Sequence, residues 1–149
     1  MSVAGVVVTH GPDPGIDDCL SSLRPQVDEL VVVANPPAPE VDVRLIVNDR
    51  ALGFATNANQ GIAATTAPYV VIANPDTEPR ADAVELLFEF AETHPRAGIV
   101  GPQLLSPDGR WQPSRRRFPT ISGTVVRRTP LRKLLRPQTR QLEHYMLED

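Results

Sequence analysis

The sequence contains a single cysteine, Cys19, among its 149 residues. One cysteine excludes a disulfide within the chain and is typical of a reducing compartment. Because Cys19 stands beside Leu20 in a predicted helix, a buried structural thiol is favoured over a catalytic nucleophile. The three histidines, His10, His94 and His144, are widely separated. The sequence therefore offers no zinc-binding constellation.

Long hydrophobic runs are also missing. No apolar segment approaches the roughly 20 residues that a membrane-spanning helix needs, and the N-terminal stretch MSVAGVVVTH has no basic residue ahead of its apolar part. We therefore expect a first strand there and not a signal peptide. Neither common glycine-rich phosphate loop is present, since Gly11 and Gly15 enclose two prolines. The composition, 41% hydrophobic and 22% charged, is that of a globular protein of one-domain length.

Acidic residues are absent between Arg110 and Arg140. Residues 1–109 hold 5 Lys/Arg and 15 Asp/Glu, a net charge of −10, whereas residues 110–149 hold 10 basic and 3 acidic residues, a net charge of +7. Such a block is the electrostatic signature of a surface that binds phosphate, nucleic acid or an anionic membrane. A solvated tail is the alternative, and the residues alone leave both open.

Short β-branched runs alternate with small amphipathic segments, which is typical of βαβ units and a mostly parallel sheet. We predict strands at residues 3–9, 30–34, 44–47 and 70–73, and helices at 16–23, 54–66 and 81–94. Short strands at 98–101, 103–105 and 110–112, with turn residues at 106–109, predict a hairpin on the edge of the sheet. A weak helix is predicted at 131–136. The predicted fold class is α/β, with three βα units, the hairpin and a basic C-terminal arm.

Residues 69–77, YVVIANPDT, carry the clearest functional signal. The apolar run suits a strand buried on both faces, and it stops at Asn74-Pro75-Asp76 because proline cannot donate a strand hydrogen bond. Ligands of open α/β sheets bind at the carboxyl ends of the strands, so Asp76 is the leading candidate for a metal or nucleotide contact. An ordinary turn is the alternative.

Polar residues follow two other predicted strands, at Thr9-His10-Gly11 and at Ala34-Asn35-Pro36. The segment GFATNANQGI, residues 53–62, adds Asn57 and Asn59 near the same edge. These asparagines can equally be exposed helix residues of no special role.

Seven segments of the sequence, taken in their order along the chain, resemble those of a known family. They are VVVTH, VVVAN, NDRALGFATNANQGI, ANPDT, GIVGPQLLSPDG, QPSRRRFPT and RRTPLRKLL. Together they are similar to the N-terminal half of family 2 inverting glycosyltransferases with the GT-A fold, a Rossmann-like nucleotide-binding half, in the rhamnosyltransferase-like branch. The resemblance implies a nucleotide-sugar-binding α/β domain at residues 1–112 and a basic arm at 113–149 that leads into an acceptor-binding half.

The resemblance also implies residue roles. Asp76 matches the acidic position that holds a divalent metal, Mg²⁺ or Mn²⁺, on the donor diphosphate, and Thr9 and Asn35 match positions around the base and ribose. Four residues match the family's loop and helix start that pack against the nucleotide: Gly53, Phe54, Asn59 and Gly61. A basic stretch near phosphates or the acceptor matches Arg115, Arg116 and Arg117. Such a metal prefers oxygen ligands and takes few protein carboxylates when phosphates complete its shell.

Two departures from the family pattern matter. Members often have an aspartate that contacts the base where this sequence has Ala34, and the first acidic position of the metal motif is Asn74. The family's catalytic base, a carboxylate that deprotonates the acceptor hydroxyl, lies beyond the position of Asp149. We therefore expect the 149-residue chain alone to transfer little or no sugar.

The expected function is transfer of a sugar, with rhamnose suggested by the branch, from a dTDP- or UDP-sugar to a glycan or lipid-linked acceptor of the cell envelope. A non-catalytic nucleotide-sugar-binding module and an anionic-surface binder acting through the arm are the alternatives. Nucleic acid is not an expected partner. Exposed apolar surface suggests a homo-oligomer. The expected location is the cytoplasm or the inner face of the plasma membrane.

Overall fold

The structure, a computed structural model, describes residues 2–112. The chain divides into two units, Met1–Gly101 and Pro102–Asp149. The predicted helix at 131–136 and the basic arm lie outside the described residues, and the domain boundary at residue 112 stays a prediction.

A four-stranded parallel sheet forms the centre of the first unit. Its strands are β1 (Val3–Thr9), β2 (Glu29–Ala34), β3 (Arg44–Val47) and β4 (Tyr69–Ala73). They lie in the order β3-β2-β1-β4, and Val7 of β1 stands opposite Val32 of β2 and Ala73 of β4. The positions of the four strands and the α/β class are confirmed, and β2 and β4 each begin one residue earlier than predicted. The expectation that β4 is buried on both faces is wrong within the described residues, because β4 lies at the edge of this sheet and Ile72 is 43% exposed.

Three helices cover the two faces of this sheet: α1 (Ile16–Leu23), α2 (Phe54–Ala63) and α3 (Ala83–Thr93). Helices α1 and α3 share one apolar cluster with Val7 and Val32. Helix α2 packs on the other face, where Ala58 joins Val6 and Val33. Strand β1 is buried at all seven positions because both of its faces are covered, which explains its uninterrupted apolar sequence.

Long-range hydrogen bonds change where two helices begin and end. Helix α2 ends at Ala63, three residues before the predicted end, since Thr66 leaves the helix to donate its backbone N–H and its hydroxyl to the Glu29 carboxylate, at 3.0 and 2.6 Å. Helix α3 begins at Ala83, two residues later than predicted. Near its start the buried Gln26 carboxamide accepts a hydrogen bond from the Val84 N–H, at 3.1 Å, and so satisfies a helix-end donor.

The second unit contributes a hairpin of β5 (Leu104–Leu105) and β6 (Trp111–Gln112). The hairpin is confirmed, although it forms its own two-stranded sheet and does not extend the edge of the parallel sheet. The strand predicted at 98–101 is wrong. Within the described range these residues pair with no strand, and Ile99 is 96% exposed, so neither ladder hydrogen bonds nor burial stabilise an extended pair.

Across residues 2–112, no helix has both the length and the apolar character needed to cross a membrane.

Candidate functional site

The carboxyl ends of the four strands lie in a row along one edge of the sheet. Asn48 directly follows β3, Asn35 follows β2, Thr9 ends β1, and Asp76 comes three residues after β4. Neighbouring strands are about 4.8 Å apart, so these ends span roughly 15 Å. The chain runs outward from β1 to β3 and then returns to β4 on the other side of β1. Ligands of open α/β sheets bind where the strand order reverses in this way.

Three buried asparagines form a hydrogen-bonded cluster at this edge. The Asn48 side-chain N–H₂ donates to Oδ1 of Asn35, at 3.1 Å, and to Oδ1 of Asn57, at 2.8 Å. All three residues are buried. Because buried amide groups cost free energy when they are unpaired, these hydrogen bonds fix the ends of β2 and β3 against helix α2. Nδ2 of Asn57 is the exception, since it is buried and has no hydrogen-bond partner within the described residues.

Asn35 also holds the loop that leads into α2. Its Oδ1 accepts the backbone N–H of Leu52, at 3.0 Å, and its Nδ2 donates to the Leu52 carbonyl, at 2.9 Å. The side-chain amide thus pairs with both polar groups of one backbone residue, as a neighbouring strand would. This pairing positions Gly53, which is the N-cap of α2, and Phe54, which begins it.

The end of β1 contributes Thr9 and His10. Thr9 is buried, and its hydroxyl donates to the Gly11 carbonyl at 2.5 Å. Gly11 has a φ of +136°, a conformation that favours glycine, and so lets the chain turn away from the sheet. His10 is exposed, and its Nδ1 lies 2.7 Å from Nδ2 of Asn35.

Asp76 lies in the loop after β4, packed closely against the start of α1. A Cβ added to Gly15 would lie 3.1 Å from the Pro75 carbonyl oxygen and 3.3 Å from Cα of Asp76. The Cys19 thiol donates to the Asn74 carbonyl at 3.4 Å. These contacts hold the Asp76 backbone, while its side chain is exposed.

Cys19 is buried, which confirms the structural role predicted for it. Burial raises the pKa of the thiol, and the nearby carboxylates of Asp76 and Asp13 add to that effect, although the hydrogen bonds with Thr77 oppose it. A neutral, buried thiol is a poor nucleophile.

The Asp76 carboxylate fits a role as a metal ligand. Nowhere in residues 2–112 does it have a hydrogen-bond or salt-bridge partner, so its oxygens remain free to bind. Over the same range, no three His, Cys, Asp or Glu side chains come together as a metal site. A cation such as Mg²⁺ or Mn²⁺ is commonly held by one or two carboxylates together with substrate phosphates.

The structure brings most of the sequence-predicted residues to this edge. Thr9 and Asn35 are buried there, and the exposed Gly53 and Phe54 stand at the start of α2. Asn59 is exposed on the same helix.

Gly61 is different, since it is buried where α2 meets the sheet. A Cβ there would overlap Cγ1 of Val6 and lie 3.2 Å from Cγ2 of Val33. The contact observed at Gly61 is therefore close helix–sheet packing. Arg115 and Arg116, with Arg117, lie outside the described residues.

Asn48 and its hydrogen bond to Asn57 were not identified from the sequence. Asn48 follows β3 just as Asn35 follows β2, and that parallel was a usable signal. The contact of His10 with Asn35 had no signal in the sequence, because it depends on β1 and β2 being neighbours.

The parallel sheet, with helices on both faces, is a Rossmann-like α/β fold. Residues 6–146 match the family described as Glycosyl transferase family 2, and the chain belongs to that family.

Relatives in Mycobacterium tuberculosis are also similar. N-acetylglucosaminyl-diphospho-decaprenol L-rhamnosyltransferase from strains CDC 1551 / Oshkosh and ATCC 25618 / H37Rv is 29% identical over 139 residues, covering 78% of this chain in each case. The match covers 45% of each relative, so the chain spans a little under half the length of the curated relatives that it matches. The resemblance to the rhamnosyltransferase-like branch is confirmed by these matches.

Proposed function

We propose that this chain is the donor-binding part of a glycosyltransferase and that it binds a nucleoside-diphosphate sugar at the carboxyl edge of its sheet. The observation that carries the proposal is the exposed carboxylate of Asp76, which has no hydrogen-bond or salt-bridge partner within residues 2–112 and lies beside the point where the strand order reverses, in a chain of this family. A carboxylate with free oxygens suits a cation that is shared with substrate phosphates.

Asp76 would hold the divalent cation, Mg²⁺ or Mn²⁺. When bound, that cation supplies positive charge that stabilises the departing nucleoside diphosphate. The chain itself orients the donor: the packing of Gly15 against Pro75 and Asp76 fixes the loop after β4, and the cluster around Asn35 fixes the loop before α2.

The base and ribose would lie over Thr9 and Asn35, with Gly53, Phe54 and Asn59 along the other side. Asn35 and the Thr9 hydroxyl are already engaged within the protein. They therefore act by shaping the pocket and do not themselves read the base. Ala34 has no side-chain polar group, so dTDP and UDP are both candidate nucleotides.

The proposed donor sugar is L-rhamnose and the proposed acceptor is a lipid-linked glycan, because the mycobacterial relatives are named for L-rhamnosyl transfer to N-acetylglucosaminyl-diphospho-decaprenol. The proposed mechanism is inverting, as in the family that the sequence resembles. Arg115 and Arg116 would contact phosphates or the acceptor, and a basic arm would favour the inner face of the plasma membrane.

Titration calorimetry with dTDP and with UDP, each with and without Mn²⁺, tests the metal and the nucleotide together. We expect Mn²⁺ to tighten binding by the wild-type chain, and Asp76→Asn to reduce the affinity in Mn²⁺ at least about tenfold. The reason is that the amide keeps the shape of the carboxylate and removes its charge.

Asp42→Asn is the matched control. Asp42 is an exposed aspartate just before β3, at the opposite edge of the sheet, and its replacement should leave binding unchanged. The proposal is wrong if Asp76→Asn and the wild type bind with equal affinity and show the same response to Mn²⁺. Nucleotide binding without sugar transfer by the full natural protein would favour the binding-module alternative.

A further inference from the structure

The orientation of the Asn35 amide is fixed by three hydrogen bonds. The Leu52 N–H points at its oxygen and the Leu52 carbonyl at its nitrogen, at 3.0 and 2.9 Å. The Asn48 amide donates to the same oxygen, at 3.1 Å. A rotated amide would place oxygen against the Leu52 carbonyl and N–H₂ against two donors, so only one orientation satisfies these partners.

This orientation dictates the proton position on His10. One N–H of the Asn35 amide is used by Leu52, and the other faces Nδ1 of His10 across 2.7 Å. Nδ1 can accept that hydrogen bond only when it carries no proton. In the neutral imidazole the proton therefore resides on Nε2, on a side chain that is exposed at the end of β1.

We propose that Asn35 sets His10 as an Nε2–H donor, and that this N–H binds an acceptor oxygen of the nucleoside diphosphate. Asn35 is then a positioning residue and His10 a binding residue. The ligand part of this inference rests on the proposed function, whereas the proton position does not. A fixed donor at this place selects for an acceptor, a base carbonyl or phosphate oxygen, and against a donor group such as an exocyclic amine.

His94 provides an internal reference of the opposite kind. Its Nδ1 lies 2.9 Å from the Phe90 carbonyl oxygen, which can only accept a hydrogen bond, and 3.0 Å from the Thr93 hydroxyl, which donates its own proton to backbone carbonyls and can accept from Nδ1. The neutral His94 ring should therefore carry its proton on Nδ1.

Nitrogen-15 NMR of the wild-type chain at about pH 8, above the usual titration range of histidine, tests the proton position without any ligand. We expect the Nε2–H form for His10 and the Nδ1–H form for His94, with signals assigned by their loss in His10→Gln and His94→Gln. In Asn35→Asp the carboxylate can only accept, so the proton of His10 should move to Nδ1. A wild-type His10 ring protonated on Nδ1 would overturn the inference, whether or not Asn35→Asp folds.

Binding of dTDP and UDP to His10 variants tests the ligand contact. His10→Phe keeps a flat ring and removes the N–H, and we expect about tenfold weaker binding. His10→Gln keeps a donor near the position of Nε2 and should retain most of the affinity, and His94→Gln should match the wild type.

Equal affinity of His10→Phe and wild type would refute the contact while leaving the metal site of Asp76 intact. A wild-type chain that binds neither nucleotide would refute the proposed function and its ligand, and the NMR result would then stand alone.

Discussion

Asn48 is the residue on which the polar cluster at the carboxyl edge depends. It donates to both of its asparagine neighbours, so its loss leaves Oδ1 of the buried Asn57 without a partner. An unpaired buried acceptor is costly because it has given up its bonds to water. Asn59 shows the contrast: it is the same residue type and lies on the same helix as Asn57, but it is exposed, so its amide is accessible to water.

We predict that Asn48→Ala lowers the free energy of unfolding by about 1–3 kcal/mol. Urea denaturation followed by circular dichroism measures it. Asn48→Asp keeps the size of the side chain but places an acceptor against two acceptors, so it should be at least as destabilising. Asn59→Ala is the control and should change the stability by less than about 0.5 kcal/mol. Equal effects at positions 48 and 59 would contradict the role given to the cluster.

At the scale of secondary structure, helix α2 can pack closely on the sheet because Gly61 has no side chain. The helix crosses β1 and β2 so closely that a single added carbon would overlap Val6. That close approach also brings Asn57, one helical turn earlier, within hydrogen-bond distance of Asn48. Packing of α2 on the sheet and formation of the polar cluster are thus coupled.

Replacing Gly61 with alanine should destabilise the chain by about 1–3 kcal/mol, since overpacking outweighs the better helix propensity of alanine. Thr56→Ala, on the exposed side of the same helix, is the control and should be neutral or slightly stabilising. Thermal unfolding of the two variants gives the comparison. A Gly61→Ala variant as stable as the wild type would mean that α2 can shift outward without cost.

The carboxyl edge was predictable in part because strand ends leave local marks. An apolar run that stops at polar or proline residues precedes each of Thr9, Asn35 and Asp76. The local sequence is therefore enough to place these residues at strand ends. The partner of each side chain is a different matter. Asn35 pairs with His10 only because β2 and β1 are adjacent, and Asn48 pairs with Asn57 only because helix α2 packs closely on the sheet. Both arrangements are decided by the packing of the whole domain.

At the scale of the whole molecule, stability should depend on pH through Glu29. Its carboxylate accepts hydrogen bonds from the Thr66 hydroxyl and then from the Thr66 backbone N–H, and these bonds lower the pKa of Glu29 below its usual value. The group is exposed, so solvent screens the effect. A carboxyl whose pKa is lowered by folding adds stability above its unfolded pKa and loses it as the pH falls through the folded value.

We therefore predict that Glu29→Gln is less stable than the wild type at neutral pH and that the difference shrinks below about pH 4.5, the ordinary range of a glutamate. Denaturant midpoints at several pH values between about 3 and 7 give the comparison. Glu40→Gln, at an exposed glutamate for which no hydrogen bond or salt bridge occurs within residues 2–112, is the control. A difference that stays constant with pH would contradict the assignment.

The sequence by itself determines most of the strands and helices of this protein, its α/β class and the family to which it belongs. Apolar periodicity, proline stops and ordered motifs are properties of neighbouring residues, and they can be read along the chain. Only the tertiary structure decides the order β3-β2-β1-β4, the asparagine cluster and the proton position on His10. These arise from contacts between residues that are distant in the chain, from Asn48 and Asn57, 9 positions apart, to Val3 of β1 and Tyr69 of β4. Their pairing depends on how the sheet and helix α2 pack together.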